Sequence, residues 1–179
     1  MMRIVGGNFR HRYIKYPIDP ATRPTKDRIR EALFSALGED VIGRDVLDLF
    51  AGSGALGLEA LSRGAKSATF VDINREAIKV IKENLATLKI EATVYEIEDQ
   101  KALSMFKIAG KTFDLIFLDP PYARKVCEDL IHQLIEENIL SNNGIIVVET
   151  NYELDIDESL FTKIRSYRYG ITYIHICRR

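Results

Sequence analysis

A glycine-rich turn near residue 50 is the first part of the sequence with a recognisable chemical use. Gly52, Gly54 and Gly57 are spaced as G-x-G-x-x-G after an apolar segment, and Asp72 lies 20 residues beyond Gly52. Glycines at this spacing allow a ligand to approach the backbone, and the acid can accept hydrogen bonds from a ribose diol. The pattern predicts a cofactor that contains adenosine. It is equally the fingerprint of dinucleotide-binding proteins, so it does not identify that cofactor.

A second motif, Asp119-Pro120-Pro121-Tyr122, follows another apolar segment further along the chain. Consecutive prolines donate no backbone hydrogen bonds and hold φ at about −65°, so the turn is rigid and its carbonyl groups stay available as acceptors. An amino group needs two acceptors, which the Asp119 carboxylate and the Pro120 carbonyl supply, and Tyr122 presents a ring on which a base can stack. We therefore predict that the catalytic residues, which modify an amino group of a base, are Asp119, Pro120, Pro121 and Tyr122.

Basic residues are concentrated at the start of the chain. The net charge is only −1, yet residues 1–30 contain eight Lys and Arg residues and two Asp residues, so the remainder is acidic. Such a segment is typical of a surface that contacts phosphates, although a solvated basic surface without a ligand is the alternative. The predicted RNA contacts are Arg10, Arg12, Arg23, Lys26, Arg28 and Arg30.

These motifs are positioned by an alternation of strand-like and helix-like segments. Apolar strand segments at 46–50, 68–71, 92–97, 114–118 and 145–149 are separated by segments with helical periodicity. Strands that are apolar throughout and alternate with helices predict an α/β fold, in which helices cover both faces of a parallel sheet. Both motifs then lie at the carboxyl ends of strands, where ligands bind in such folds.

The end of the chain departs from this alternation. Segments 160–169 and 171–177 are rich in β-forming residues and are separated only by Gly170. We expect them to form an antiparallel hairpin at the edge of the sheet.

The start of the chain also precedes the alternation. Ile4-Val5 and 13–16 predict two short strands joined by a basic turn. A helix is then expected from a cap at Thr25 to Leu37.

Together, the two motifs resemble those of the class I methyltransferases that modify amino groups of bases. The chain also resembles the bacterial 16S rRNA guanine-N2 methyltransferase family at 4–7, 23–34 and 50–63, and the similarity extends over nearly its whole length. The match is most specific through 23–64 and 115–122.

This resemblance carries expectations about both fold and activity. It implies a Rossmann-like class I methyltransferase fold, with a seven-stranded, mostly parallel sheet, an antiparallel C-terminal hairpin and a short basic N-terminal hairpin and helix. It also implies S-adenosylmethionine as the cofactor and S-adenosylhomocysteine as its product. The implied target is the N2 amino group of guanine 966 of 16S rRNA, either in naked RNA or in a partly assembled 30S particle.

The resemblance also implies which residues hold the cofactor. In that family an acid after the third core strand contacts the adenine amino group; Glu98 and Asp99 both fit, and Asp99 is preferred. The predicted cofactor-binding residues are therefore Asp48, Phe50, Ala51, Gly52, Gly54, Gly57, Asp72, Ile73 and Asp99. The chain departs from the family in its basic turn, where His11 stands in place of a common Gly.

Other proteins share parts of this pattern. DNA adenine or cytosine amino-methyltransferases have both motifs, and protein-glutamine methyltransferases have a related proline turn that usually begins with Asn. Nicotinamide-dependent oxidoreductases have the glycine turn alone. A non-catalytic RNA-binding protein needs neither motif.

Composition and scattered residues complete the expectations. Apolar residues at 46% and charged residues at 28% are typical of a globular protein. We expect one domain over 1–179, with 1–38 as the basic hairpin and helix and 44–179 as the core. The three histidines lack the spacing of metal ligands, so no metal is expected. The first residues lack an export signal and the longest apolar runs are strand-sized, which predicts a cytoplasmic protein without a membrane contact. A monomer is expected, although no residue pattern decides the oligomeric state.

Overall fold

The computed structural model describes residues 1–16, 27–121 and 126–179. The strands are β1 (Met2–Arg3), β2 (Tyr13–Ile14), β3 (Asp45–Asp48), β4 (Ser67–Asp72), β5 (Thr93–Glu96), β6 (Phe113–Leu118), β7 (Leu140–Thr150), β8 (Lys163–Tyr169) and β9 (Thr172–Arg178). The helices are α1 (Asp27–Leu37), α2 (Ala55–Ser62), α3 (Arg75–Leu88), α4 (Asp99–Ile108) and α5 (Val126–Glu136), with short 3-10 turns at Gly7–Phe9, Gly38–Val41 and Glu158–Leu160.

The central sheet has seven strands in the order β5-β4-β3-β6-β7-β9-β8. Neighbours from β5 to β7 are parallel, whereas β9 is antiparallel to both β7 and β8. This arrangement confirms the predicted mostly parallel sheet with an antiparallel C-terminal hairpin. The positions of β3 and β6 near its centre explain why Val46, Leu47 and 115–118 are apolar, because both faces of these strands are buried.

Each face of the sheet has its own hydrophobic core, because successive side chains of a strand point to opposite faces. Val46, Phe117 and Val147 face the side covered by α1, α2 and α3. Leu47 and Ile146 face the other side, where α4 and α5 pack. The same alternation decides which face of the sheet the polar residues at the strand ends join.

The first hairpin lies slightly earlier in the chain than predicted. Its paired strands are Met2–Arg3 and Tyr13–Ile14, although Ile4 still exchanges two backbone hydrogen bonds of 2.9 Å with Arg12 and His11. The ladder ends at Val5 because its N–H donates instead to the Glu59 carboxylate, at 2.9 Å. A buried acid on α2 therefore diverts the strand that the sequence predicts at Ile4-Val5.

Two predictions about the start of the chain concern single residues. α1 ends at Leu37, as expected, and Gly38 follows with φ at +57°, a conformation that favours glycine. The predicted cap at Thr25 lies outside the described residues. His11, where the resembled family often has Gly, adopts φ of +69°, so that family preference has a physical reason at this turn.

Candidate active site

A cleft of about 510 Å³ opens where the central parallel strands end. The glycine turn after β3, the end of β4 and the proline turn after β6 all line it, and so does the end of β7. Among the residues predicted for the site, those that line this cleft are Asp48, Phe50, Ala51, Gly52, Asp72, Ile73, Asp99, Asp119, Pro120 and Pro121. The fold thus brings the two motifs of the sequence to one cavity. Tyr122 lies outside the described residues.

Asp72 connects the glycine turn to the start of the next helix. One carboxylate oxygen accepts a hydrogen bond from the Gly52 N–H at 2.7 Å, and the other accepts one from the Asn74 N–H at 2.8 Å. Asn74 in turn caps α3 by accepting hydrogen bonds from the N–H groups of Glu76 and Ala77. The acid is therefore held in place by the backbone, and each oxygen retains a lone pair that a ribose hydroxyl could approach.

Gly54 and Gly57 have a different role from Gly52. Neither lines the cleft, and a Cβ on Gly57 would lie 2.3 Å from the Phe70 ring. The Gly57 N–H donates to Asp48 at 3.0 Å, while Gly54 adopts φ of +75° where α2 begins. These two glycines serve close helix–strand packing and the tight turn. That they also contact the cofactor stays a prediction.

Three acids project from the same face of the sheet at the floor of the cleft. Asp48, Asp119 and Glu149 each lie two residues after a side chain of the α1–α3 core, so strand alternation directs all three to that face. The pKa of Asp48 is raised to about 7, mainly by burial; the hydrogen bond from Gly57 lowers it, and the nearby Asp72 raises it by a smaller amount. Burial first, and then Glu149 and Asp48, hold the pKa of Asp119 well above its usual value.

This acidic floor favours a cationic ligand. Nearby negative charges disfavour the ionised forms of Asp48 and Asp119, and a bound positive charge would oppose that effect. A sulfonium with a neighbouring ammonium group is such a ligand, so the donor set fits S-adenosylmethionine in charge.

The β5 end of the cleft has the features of an adenine site. Ile73 lines the cleft and is 63% exposed, which is unusual for a large aliphatic side chain. Glu98 and Asp99 lie nearby, but the Glu98 carboxylate pairs with Lys101 at 3.2 Å and is half exposed. Asp99 is the less exposed of the two acids, which favours it for contact with an adenine amino group.

The sequence reasoning missed the contribution of β7 and of the final hairpin to this cleft. Glu149, Thr150, Asn151 and Tyr152 line it at the end of β7, and Ile171 and Thr172 line it from the β8–β9 turn. A signal was present for the first group, because polar residues directly follow the apolar segment that becomes β7. The hairpin turn could not be assigned to the cleft without the order of the strands.

The predicted RNA contacts fall into three groups. Arg10, Arg12 and Arg28 are exposed, whereas Arg23 and Lys26 lie outside the described residues. Arg30 is fully buried: it pairs with Asp27 at 2.9 Å and lies 3.7 Å from the Glu59 carboxylate. The prediction that Arg30 contacts RNA is therefore wrong, because its guanidinium joins α1 to α2 inside the protein.

The exposed arginines of the first hairpin lie far from the cleft. Arg12 donates to the Thr87 carbonyl near the end of α3, at 3.3 Å, whereas Asn74 begins that helix beside the cleft. At about 1.5 Å of rise per residue, this helix separates the two sites by roughly 20 Å. A ligand that touches both must be much larger than a nucleotide.

Across 1–16, 27–121 and 126–179, no cluster of three or more His, Cys, Asp or Glu side chains could hold a metal ion. Within those same ranges, no helix has the length and apolar character needed to cross a bilayer.

With this geometry in view, comparison with known proteins gives the family. The family described as Conserved hypothetical protein 95 matches residues 2–178. The chain belongs to this family. Its relatives include the ribosomal RNA small subunit methyltransferase D of Escherichia coli, which is 40% identical over 152 residues, or 85% of this chain and 76% of the relative. The resemblance to the rRNA methyltransferase family that the sequence indicates is therefore confirmed for this chain.

Solved structures agree with the family assignment. A hypothetical protein from Thermus thermophilus, TTHA0928, superposes with a TM-score of 0.84 at 30% identity, and the match covers 100% of both chains. A more distant structure, the T. thermophilus 16S rRNA N2 methyltransferase RsmC in complex with AdoMet and guanosine, has a TM-score of 0.66 at 23% identity, over 88% of this chain and 44% of that one. Together, these likenesses show that the chain described here has the Rossmann-like methyltransferase fold.

Proposed function

We propose that this protein transfers a methyl group from S-adenosylmethionine to the N2 amino group of a guanine in 16S rRNA, guanine 966 by the family resemblance. The observation that carries the proposal is that the proline turn after β6 and the glycine turn after β3 line the same cleft. One motif suits an amino group and the other an adenosine-containing cofactor. The name of the E. coli relative supports rRNA as the substrate.

The cofactor would lie along the ends of β3, β4 and β5. Asp72 would accept hydrogen bonds from the ribose diol, since its carboxylate is already oriented by Gly52 and Asn74. Ile73 would cover the adenine ring and Asp99 would accept from its amino group. The other proposed contacts are Asp48, Phe50, Ala51 and Gly52, which line the cleft beside them. Bound there, S-adenosylmethionine would supply an activated methyl group.

The residues after β6 would prepare the amino nitrogen for transfer. An aromatic amine is a poor nucleophile because its lone pair is delocalised into the ring. Hydrogen bonds from the amino hydrogens to the Asp119 carboxylate and the Pro120 carbonyl favour a pyramidal nitrogen, whose lone pair then points at the methyl carbon. Asp119 lines the cleft, and no hydrogen bond to its carboxylate is found within the described residues. Transfer of the methyl group would leave the nitrogen with one proton in excess, which the Asp119 carboxylate could accept and pass to water in the cleft.

The base must leave its stack to reach this turn. Pro121 keeps the turn rigid, and Tyr122 would replace the stacking that the base loses. The protein therefore contributes mainly by placing the reacting groups.

The basic start of the chain would hold the RNA, through Arg10, Arg12, Arg23, Lys26 and Arg28. We further propose that 1–38 and 44–179 act as a single domain, in the cytoplasm and as a monomer. The first segment packs closely on α2, where the Phe9 N–H donates to the Ser62 hydroxyl at 2.9 Å and that hydroxyl donates to the Gly6 carbonyl at 2.6 Å.

The experiment compares 16S rRNA from a strain that lacks the protein with rRNA from its parent. Mass spectrometry of nuclease fragments should show loss of one methylguanine, and purified protein with S-adenosylmethionine should restore it in the deficient rRNA or in small-subunit particles. Identical methylation in the two strains, without in vitro transfer to either substrate, would contradict the proposal. Transfer to duplex DNA adenine or cytosine instead would support a DNA amino-methyltransferase.

A further inference from the structure

We propose that Glu149 is the residue that selects guanine, by accepting a hydrogen bond from the ring N1–H while Asp119 and Pro120 hold the N2 amino group. The inference rests on the proposed function and deepens it. It concerns a residue that the motifs do not include.

The placement of Glu149 comes from the register of two neighbouring strands. β6 and β7 are parallel, and their last register pair is Leu118 with Val148. Asp119 and Glu149 are therefore the next residues on adjacent strands, which lie about 4.8 Å apart. Alternation directs both side chains to the same face, and both line the cleft.

An independent sign of their proximity is electrostatic. After burial, the charge of Glu149 is the largest influence that raises the pKa of Asp119. Two carboxylates that repel each other across a cleft are stabilised by a ligand that presents hydrogen-bond donors to both of them. A carboxylate has about four lone-pair positions, so Glu149 can accept such a donor alongside other contacts.

Guanine presents adjacent donors of the required kind. Its Watson–Crick edge carries a ring N1–H next to the exocyclic N2 amino group. Adenine and cytosine also have an exocyclic amino group, but the ring nitrogen beside it is an acceptor without a hydrogen. A carboxylate next to the amino-binding turn therefore attracts guanine and repels the other two bases, because the wrong base places a lone pair against a negative charge.

The test replaces the target guanine by 2,6-diaminopurine, which keeps the N2 amino group but has an acceptor at N1. Both RNAs are assembled into small-subunit particles from methylation-deficient 16S rRNA, with the target base in a ligated synthetic segment. Single-turnover methylation with saturating S-adenosylmethionine then gives the ratio of rates for the two bases. The wild-type protein should prefer guanine by roughly 10- to 100-fold, the range for one hydrogen bond to a charged group.

The decisive variant is Glu149→Gln. The glutamine amide can accept from N1–H through its oxygen or donate to a bare N1 through its nitrogen, so the preference should fall to within a few-fold of unity. Glu149→Ala should lower the preference as well, by slowing guanine more than 2,6-diaminopurine. Glu153→Gln is the matched control: this exposed glutamate does not line the cleft, and the ratio should stay at the wild-type value.

The outcomes separate this inference from the function on which it rests. If wild-type protein methylates guanine but Glu149→Gln slows both bases equally, Glu149 acts only through the field at Asp119 and the inference is overturned. Equal wild-type rates on the two bases overturn it too. If neither particle is methylated by the wild-type protein, the proposed function itself fails.

Discussion

At the β3–β4 side of the cleft, the Asp72 carboxylate accepts two backbone hydrogen bonds, whereas at the β6–β7 side the Asp119 carboxylate has none among the described residues. The first side is therefore organised before any ligand binds. The second side holds a carboxyl group whose charged form is disfavoured by burial and by Glu149. We call the β3–β4 side the cofactor side and the β6–β7 side the nucleobase side. We infer that the cofactor side contributes to stability, whereas the nucleobase side gives up stability because it holds a carboxyl group whose charge is disfavoured.

The largest expected effect is on the rate of methylation, at the nucleobase side. Asp119→Asn should reduce single-turnover methylation on the order of 100-fold or more, the scale for one group that stabilises charge in a transition state. Binding of S-adenosylmethionine and of RNA should change little, because the hydrogen bond matters chiefly as the nitrogen becomes pyramidal.

The same variant tests the comparison directly, because removal of a disfavoured charge should raise the melting temperature of the ligand-free protein at neutral pH. Asp129→Asn, at an exposed position on α5, is the control for both measurements. A variant with near wild-type turnover would exclude Asp119 from the reaction, and a lower melting temperature would contradict the inferred strain.

On the cofactor side, removal of a carboxylate should lower the stability of the ligand-free protein, whereas at Asp119 it should raise it. Asp72→Ala should weaken S-adenosylmethionine binding by about 1.5–3 kcal/mol, the contribution of hydrogen bonds to a charged group. It should also lower the melting temperature, because Gly52 and Asn74 lose their acceptor. Titration calorimetry and thermal unfolding measure the two effects, with Asp129→Ala as control. Unchanged affinity would remove Asp72 from the site.

Asp48 lies between the two sides, and its ionisation should make the free energy of unfolding depend on pH. Its pKa of about 7 in the folded protein exceeds the ordinary value of 3.8, so between these pH values the unfolded chain releases this proton more readily than the folded one. The free energy of unfolding should therefore fall as pH rises from about 4 to about 7. Asp48→Asn should flatten that decline, as followed by urea unfolding at several pH values. An identical pH profile in both proteins would show that Asp48 ionises normally.

The smallest effect is expected outside the cleft, at the first hairpin. Replacing Arg10 and Arg12 with Ala should reduce the magnitude of the log–log salt slope of RNA affinity by about 0.7 for each lost contact. Affinity for S-adenosylmethionine should stay the same, since Arg12 lies near the far end of α3. Lys101→Ala with Lys107→Ala, on α4 across the sheet, is the control. If the hairpin and control variants have equal slopes, the hairpin is only a solvated surface.

The amino-acid sequence alone determined the type of fold and the two motifs of the site. Apolar strand segments that alternate with helical ones specify a parallel sheet locally, and each motif directly follows its own strand, so the carboxyl-end placement of Gly52 and Asp119 needed no tertiary information. The sequence places the first strand two residues too late, at Ile4-Val5, because a distant partner, Glu59, decides where the strand ends.

Tertiary structure alone decided what depends on contacts between distant segments. Gly57 packs against Phe70 of the neighbouring strand, and Arg30 is buried against Glu59, so neither role follows from a local pattern. Glu149 enters the cleft only because β7 lies next to β6, a pairing that any sequence-local argument leaves open. Local residue spacing specifies strands, helices and turns, but which side chains share a cavity depends on the order in which strands join the sheet.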